Sequence, residues 1–204
     1  MFVVIFEVQP KPDRREQYLA IAASLRPALE RIDGFIDNER FTSRRTEGRI
    51  LSLSTWRDEK AVIRWRTVGQ HHAAQEKGRT DVFADYHLRV GEVTSDTGLP
   101  DGASLPQLRF DATEIGSAAC ATITEFASIA ETRGIEPGGM PGLVDWELFE
   151  GITVPGKRLL MAWWRDADAA VGWVPRAARH RRVRIIRDYG MADRREAPQY
   201  HPVR

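Results

Sequence analysis

Three polar residues in the first half of the chain could carry acid–base chemistry: Asn38, His72 and Tyr86. A histidine that faces an apolar cavity can act as a general base near neutral pH. An asparagine amide or a tyrosine hydroxyl can donate a hydrogen bond to a developing oxyanion. The three are therefore candidate catalytic residues, although Asn38 suits a solvent-facing strand position equally well and Tyr86 could simply pack in the core.

Three aromatic residues, Trp56, Trp65 and His71, are candidate substrate-binding residues because they could line the same cavity. Both tryptophans would also serve as core residues that close a strand against a helix. His71 and His72 are adjacent, and adjacent side chains on a helix point about 100° apart, so at most one faces the cavity. A pair of surface histidines is the alternative interpretation.

The elements that must position these side chains are written twice in the chain. Residues 34–65 and 142–173 share a glycine, a D-x-E-x-F strand and a W-R-D junction at a constant offset of 108 residues. A repeat at a fixed spacing predicts two related αβ units. With this offset His72 corresponds to His180, whereas Trp146 stands at the position of Asn38.

The order of hydrophobic and turn segments in the first unit predicts β-α-β-β-α-β, the ferredoxin-like arrangement. We expect the first unit at 1–93, a Gly/Pro-containing linker at 94–106, a degenerate second unit at 107–192 and a tail at 193–204. In the second unit, the favoured interpretation places the first strand at 108–112 and a helix at 121–133. The alternative makes 121–126 the strand and leaves that helix nearly absent.

Composition excludes several classes of protein. The hydrophobic share of 42% is too high for a disordered chain, and a net charge of +1 argues against a general polyanion binder. The single cysteine, Cys120, cannot form an internal disulfide, which favours a reducing compartment. Because no segment has the pattern of a signal peptide or membrane span, the sequence predicts a cytoplasmic protein without membrane or nucleic-acid partners.

Two charged patterns have plain structural interpretations. The arginine-rich stretch at 176–187 would, as a helix, place Arg176, Arg179 and Arg184 on one solvated face. An anionic substrate or an acidic partner is the next possibility for this stretch. Asp37 and Glu39, with their counterparts in the second unit, are interpreted as cross-strand partners of arginines rather than catalytic residues.

The segments F-V-V-I-F-E-V, G-F-I-D-N-E-R-F, L-S-L-S-T-W-R-D and H-H-A-A-Q-E-K-G-R resemble the antibiotic biosynthesis monooxygenase family of dimeric α+β barrels. The resemblance implies an α+β fold in which two ferredoxin-like units pack sheet to sheet, with the helices outside. Family members with one unit achieve this as homodimers. Here both units lie in one chain, which could form the barrel as a pseudo-dimer enclosing a small-molecule chamber. A homodimer of the two-unit chain is a further possibility.

The resemblance also implies a function: oxidation of an aromatic or enolisable small molecule by O2, without metal, flavin or other cofactor. The pocket would lie between sheet and helices of the first unit. A haem-dependent branch is the alternative, but its strand asparagine and its histidine ligand fall on Glu7 and Gln75, and only Trp65 matches. His71 or His72 could still bind haem from a shifted register. A non-catalytic binding protein, an isomerase or a cyclase is the third possibility.

Overall fold

The computed structural model describes residues 1–199, in which eight antiparallel strands form a closed barrel in the order β1-β3-β2-β6-β7-β5-β8-β4. The strands are β1 (Phe2–Pro10), β2 (Phe35–Ser43), β3 (Ile50–Trp56), β4 (Phe83–Asp96), β5 (Cys120–Phe126), β6 (Leu143–Gly151), β7 (Arg158–Trp164) and β8 (Arg179–Gly190). The helices are α1 (Arg15–Leu29), α2 (Glu59–Thr67), α3 (Gly69–Lys77) and α4 (Ala167–Val171). The predicted α+β barrel of two ferredoxin-like halves is confirmed.

The two halves have the same strand connectivity. In the first half β1 pairs with β3 and β4, and in the second half β5 pairs with β7 and β8. The halves join edge to edge through β2–β6 and β4–β8. At Gly91 a Cβ atom would lie 2.3 Å from a methyl carbon of Val183, so only glycine allows this close approach of β4 and β8. Each half thereby covers the apolar inner face that the other would otherwise expose to water.

The interior of the barrel is filled by side chains. Alternate strand residues point inwards, as the period of a strand requires, and Phe41, Leu51, Phe149, Met161 and Val183 are almost fully buried there. Branched and aromatic side chains from both halves occupy the centre of the barrel, so the predicted small-molecule chamber does not form there. The space that remains between the halves is a polar pocket of about 230 Å³ lined by Glu7, Arg89, Asp145 and Trp163.

Buried ion pairs lie among the inward-facing strand residues. Arg89 binds Glu7 at 2.7 Å and Asp188 at 3.0 Å, and in the second half Arg181 binds Glu125 at 2.8 Å. Such pairs satisfy charges that would be costly to bury alone. These groups therefore neutralise one another inside the barrel.

Three of the four acidic residues in question on β2 and β6, namely Glu39, Asp145 and Glu147, are likewise held by cations. Asp145 binds Arg45 through both carboxylate oxygens, at 2.7 and 2.8 Å, and Glu147 accepts a third bond from the same guanidinium at 3.2 Å. Glu39 binds Lys157, so its partner is a lysine rather than the expected arginine. These contacts join the two halves at the β2–β6 edge.

The favoured interpretation of the start of the second half is wrong, and its alternative is correct. The strand is β5, and the segment that follows contains only a 3₁₀ turn at Ile129–Thr132 in place of a long helix. Phe2 and Cys120, which face Trp56 and Trp164, are 118 residues apart, so the second half has lost ten residues relative to the 108-residue offset. There are too few residues left to form a counterpart of α1.

The linker is consequently longer than the predicted 94–106. Strand β4 continues to Asp96, and the connection to β5 spans 97–119. Residues 108–112 are not a strand, because the backbone N–H groups of Leu108 and Arg109 donate to the carboxylate of Glu92 instead of to a neighbouring strand. Leu108 and Phe110 are exposed rather than buried in the barrel wall.

The arginine-rich stretch forms β8, not a helix. Arg181, Val183 and Ile185 alternate inwards, and their neighbours point outwards, which explains the spacing of the charges. His180 therefore lies on a strand, where its Nδ1 contacts the Thr124 hydroxyl at 2.9 Å, and it is not the structural counterpart of His72 on α3.

Glu196, beyond β8, is held by β8 and by the connection between β4 and β5. Glu196 accepts hydrogen bonds from the backbone of Asp188 and Glu114 and from the Thr113 hydroxyl. The predicted tail at 193–204 is thus anchored over its first part, and residues 200–204 lie outside the described residues. Among residues 1–199 no helix has the length and apolar character needed to cross a membrane.

Candidate functional site

A cavity of about 480 Å³ lies between the outer face of the sheet and the helices of the first half. Its floor comes from β1, β2, β3, β4 and β8, and its roof comes from α1, α2 and α3. Four of the six predicted site residues line it: Asn38, Trp56, Trp65 and His71. The cavity therefore lies where the family resemblance places the pocket, outside the packed barrel interior.

Helix α2 holds Trp65 over the cavity. Asp58 begins the helix, and its carboxylate accepts a hydrogen bond from the backbone of Ala61 at 2.8 Å, as expected for an N-cap residue. Ala61 is buried against Gly34, where a Cβ atom would lie 2.7 Å from the Ala61 methyl group. This close contact explains why both copies of the motif carry glycine and alanine at these positions.

His71 stacks on Trp65 in the cavity wall. The ring centroids are 4.2 Å apart with an interplanar angle of 18°, and Nδ1 lies 3.1 Å from the Trp65 carbonyl oxygen. A carbonyl can only accept, so Nδ1 carries the proton and Nε2 keeps a lone pair. Burial lowers the pKa of His71 to about 4. The imidazole is therefore neutral at physiological pH and can accept a proton through Nε2.

Asn38 is 9% exposed, and its amide is held by β3. Its nitrogen donates to the Ser52 hydroxyl at 3.0 Å and to the Leu53 carbonyl at 3.1 Å, which uses both N–H groups. With this amide orientation the side-chain oxygen remains as an acceptor. Asn38 is thus arranged to accept a hydrogen bond from a substrate enol or hydroxyl, in contrast to the oxyanion donor considered from the sequence.

Trp56 forms part of the cavity wall and is 1% exposed. Its indole N–H donates to the Ser54 hydroxyl at 2.9 Å, and Phe35 packs edge-on against its ring at a centroid distance of 5.3 Å. These contacts fix the ring in one position. Trp56 is consequently both a core residue and a residue of the cavity wall, so the two interpretations from the sequence both apply to it.

The other two predicted residues lie elsewhere. His72 is on α3 but does not line the cavity, as expected for one of two adjacent helical histidines. The Tyr86 hydroxyl accepts a hydrogen bond from Arg194, and Tyr86 lines a separate polar pocket of about 230 Å³. The structure therefore groups His71, rather than His72, with Asn38 and Trp65.

Five cavity residues were missed as site candidates: Tyr18, Arg40, Arg66, Arg187 and Tyr189. Tyr18 belongs to the apolar stripe of α1, and its hydroxyl lies near the side chains of Arg40 and Ser52. Burial raises the pKa of Tyr18, so this hydroxyl stays protonated. Arg187 and Tyr189 come from β8, which means that the second half contributes directly to the site.

The corresponding region of the second half is filled by side chains. Trp146 and Trp173 stand at the positions of Asn38 and Trp65, and they pack with Met140 and Ile135 over the outer face of the sheet. An indole where the first half has an amide occupies the space that a ligand would need. This packing favours the first half as the location of the site.

The three positions of the haem-branch pattern do not all meet in the cavity, although Trp65 and Gln75 both line it. Gln75 lines the cavity, but Glu7 points to the polar pocket and binds Arg89. Among residues 1–199 there is no cluster of three or more His, Cys, Asp or Glu side chains that could hold a metal ion. Cys120 is buried in the core, where burial raises the pKa of its thiol to about 11, consistent with a structural filler.

Comparison with known proteins identifies relatives of the whole chain. The family model "Antibiotic biosynthesis monooxygenase" matches residues 1–77. "Jasmonate monooxygenase ABM" from Pyricularia oryzae is 42% identical over 214 aligned positions, which cover 99% of each chain. "Uncharacterized protein YqjZ" from Bacillus subtilis is 37% identical over 60 positions, covering 29% of this chain and 51% of the relative.

A solved structure of an anthrone oxidase-like protein covers 97% of this chain and 96% of its own, at 10% identity and a TM-score of 0.41. The full-length similarity to the Pyricularia protein and the family match over the first half agree with the barrel and its cavity. The chain therefore belongs to the antibiotic biosynthesis monooxygenase family.

Proposed function

We propose that the protein is a cofactor-independent monooxygenase that oxidises an enolisable small molecule with O2 in the cavity of the first half. The observation that carries the proposal is the neutral, tautomerically fixed His71 on Trp65, set in a largely apolar cavity that also presents the Asn38 amide. Such a site excludes water and supplies a proton acceptor, which are the two needs of carbanion chemistry with oxygen.

In the proposed reaction, His71 Nε2 removes a proton from a CH2 group next to a carbonyl. The resulting enolate transfers electrons to O2, and a C–OOH bond forms. Loss of water from this hydroperoxide converts the CH2 group into a carbonyl. One oxygen atom enters the product and the other leaves as water, so the substrate supplies all four electrons and no external reductant is consumed.

The enolate must be stabilised, because an imidazole with a pKa of about 4 is a weak base. Arg40 and the protonated Tyr18 hydroxyl lie on the same cavity and place positive potential and a hydrogen-bond donor near the sheet. A bound anionic substrate would also raise the pKa of His71, since a nearby negative charge favours the imidazolium. The base therefore strengthens when the substrate is present.

Jasmonate is the first substrate to test, because the full-length relative is named a jasmonate monooxygenase. Jasmonate is a cyclopentanone with a carboxylate arm and an alkenyl chain. Its ring ketone makes the neighbouring C–H bonds acidic, and its body matches the apolar part of the cavity wall. A polycyclic phenol such as an anthrone is the aromatic alternative, and it would use the same base.

Oxygen uptake tests the proposal. Chelator-treated enzyme, with no flavin, haem or reductant added, should consume O2 when given jasmonate or an anthrone, with one product formed per O2. If O2 were consumed only after a reductant or cofactor is supplied, the substrate could not be the sole electron donor, and the proposal would be contradicted. A Soret band on haem titration that is lost in His71→Ala would instead favour the haem-dependent alternative.

A further inference from the structure

Three arginines line the cavity without a carboxylate partner. Among the described residues, Arg40, Arg66 and Arg187 have no carboxylate oxygen within 4.0 Å. The Nε atoms of Arg40 and Arg66 are buried and have no hydrogen-bond partner within residues 1–199. All three arginines are half-buried, so water screens their charges only in part. These arginines therefore provide unused positive charge in an apolar cavity.

The nearby carboxylates are already bound by another arginine. Glu59 lines the cavity, but both of its oxygens accept from Arg109 Nη1, at 2.7 and 2.8 Å. The pKa of Asp111 is lowered mainly by its hydrogen bond to Arg109 and, more weakly, by the charge of Arg187, so this carboxylate is also held by Arg109. Within residues 1–199 neither carboxylate is free to neutralise the cavity arginines, so an anionic ligand would meet unpaired positive charge at this place.

Two of the arginines and a phenol lie on the β8 side of the cavity. Arg187 and Tyr189 are two residues apart on β8, so they share one face of the sheet, and Arg66 on α2 lines the same cavity. Burial raises the pKa of Tyr189 to about 12. The Tyr189 hydroxyl is consequently protonated and can donate a hydrogen bond. Two forked guanidinium groups and a hydroxyl are donors suited to a carboxylate.

This charged corner lies across the sheet from Asn38. The cavity floor runs in the order β2, β3, β1, β4 and β8, with Asn38 on β2 and Arg187 on β8. Four strand spacings of about 4.8 Å separate the two ends, roughly 19 Å before the side chains reach inwards. Val4, Leu88 and Val90 form the apolar floor between them.

We propose that the cavity binds the substrate as a carboxylic acid, with Arg66, Arg187 and Tyr189 as the receptor for its carboxylate. The apolar body then extends over β4 and β1 towards Asn38, and the enolisable carbon lies near His71. This inference deepens the proposed function and rests on the same cavity. It assigns substrate selectivity to β8, and hence to the second half of the chain.

The test compares an acid with its neutral methyl ester by calorimetric titration under nitrogen, where no oxidation occurs. Wild-type protein should bind jasmonic acid at least about 10-fold more tightly than methyl jasmonate, the effect expected of charge-assisted hydrogen bonds. Arg187→Met should bring the two affinities within about threefold by weakening acid binding alone. Arg66→Met should act in the same direction.

Arg182→Met is the matched control, because Arg182 lies on the same strand but does not line the cavity. It should leave the preference for the acid intact. If Arg187→Met folds poorly, Arg187→Lys, which keeps the charge but removes the fork, should give an intermediate preference. Equal binding of acid and ester by wild type, no binding of the acid, or loss of preference in the control would overturn the proposal.

Because binding is measured without oxygen, the two proposals can fail separately. If the acid binds selectively but no O2 is consumed when oxygen is admitted, the proposal of a carboxylate receptor stands and the proposed monooxygenase mechanism fails. Oxygen uptake with equal rates for acid and ester would retain the mechanism and remove the receptor.

Discussion

Asn38→Trp should abolish turnover while leaving the barrel folded. The second half has Trp146 at this strand position, where the indole packs over the sheet with Met140. An indole at position 38 would project into the cavity and displace the substrate body. We expect oxygen uptake to fall by at least about 100-fold and ligand binding to be lost, at a stability cost of about 1–3 kcal/mol from overpacking and the lost amide bonds.

Ile36→Trp is the control for this substitution, since Ile36 lies on the same strand but is 52% exposed and does not line the cavity. It should leave turnover and binding unchanged. Circular dichroism and a thermal melt would verify that both variants are folded. Full activity in folded Asn38→Trp would show that the substrate does not occupy this cavity.

His71→Phe should lower kcat by about 100- to 10,000-fold, the range for removing a general base. The phenyl ring keeps the stacking on Trp65, so the affinity for jasmonate should change by less than about threefold. His72→Phe is the matched control, because His72 is the neighbouring residue on α3 and does not line the cavity. Steady-state oxygen uptake and anaerobic titration separate the two effects. An equal loss of kcat in both variants would show that His71 is not the base.

The pH dependence of turnover and of stability follows from the pKa of His71, which burial lowers to about 4 from a usual 6.5. In the substrate-free enzyme, the neutral base persists down to pH of about 4, so kcat/KM should fall only as the pH drops through that value. Because the unfolded histidine binds its proton more readily, His71 also reduces folding stability as the pH falls from 6.5 towards 4. That contribution should disappear in His71→Phe.

The sequence was informative where residues recur in a fixed pattern. The glycine, the D-x-E-x-F strand and the W-R-D junction predicted the paired strands and α2. Two of the four cavity residues that the sequence had singled out, Asn38 and Trp56, lie in these motifs, and Trp65 lies on α2 at the end of the repeat. Local rules apply there because capping by Asp58 and the Gly34–Ala61 contact are set by neighbouring residues. The choice between His71 and His72 required the helix orientation.

The sequence was less informative where the two halves differ in length. A constant offset of 108 placed the fifth strand at 108–112, whereas loss of ten residues moves it to β5. Likewise, the arginines of β8 were interpreted as one face of a helix. In the structure the residues of β8 alternate between inward and outward positions, as the period of a strand requires. Arg181 faces inwards, and Glu125 neutralises its buried charge. Arg187 and Tyr189 could not be assigned to the site without the pairing of β8 with β4.

The position of a bound acid in crystals grown and soaked without oxygen tests the central claim most directly. The account predicts jasmonate in the cavity between the sheet and α1, α2 and α3, with its carboxylate on Arg66 and Arg187, its ketone ring beside His71 and its alkenyl chain directed towards Asn38. An acid bound in the polar pocket beside Tyr86, or found only on the surface while the cavity stays empty, would contradict it.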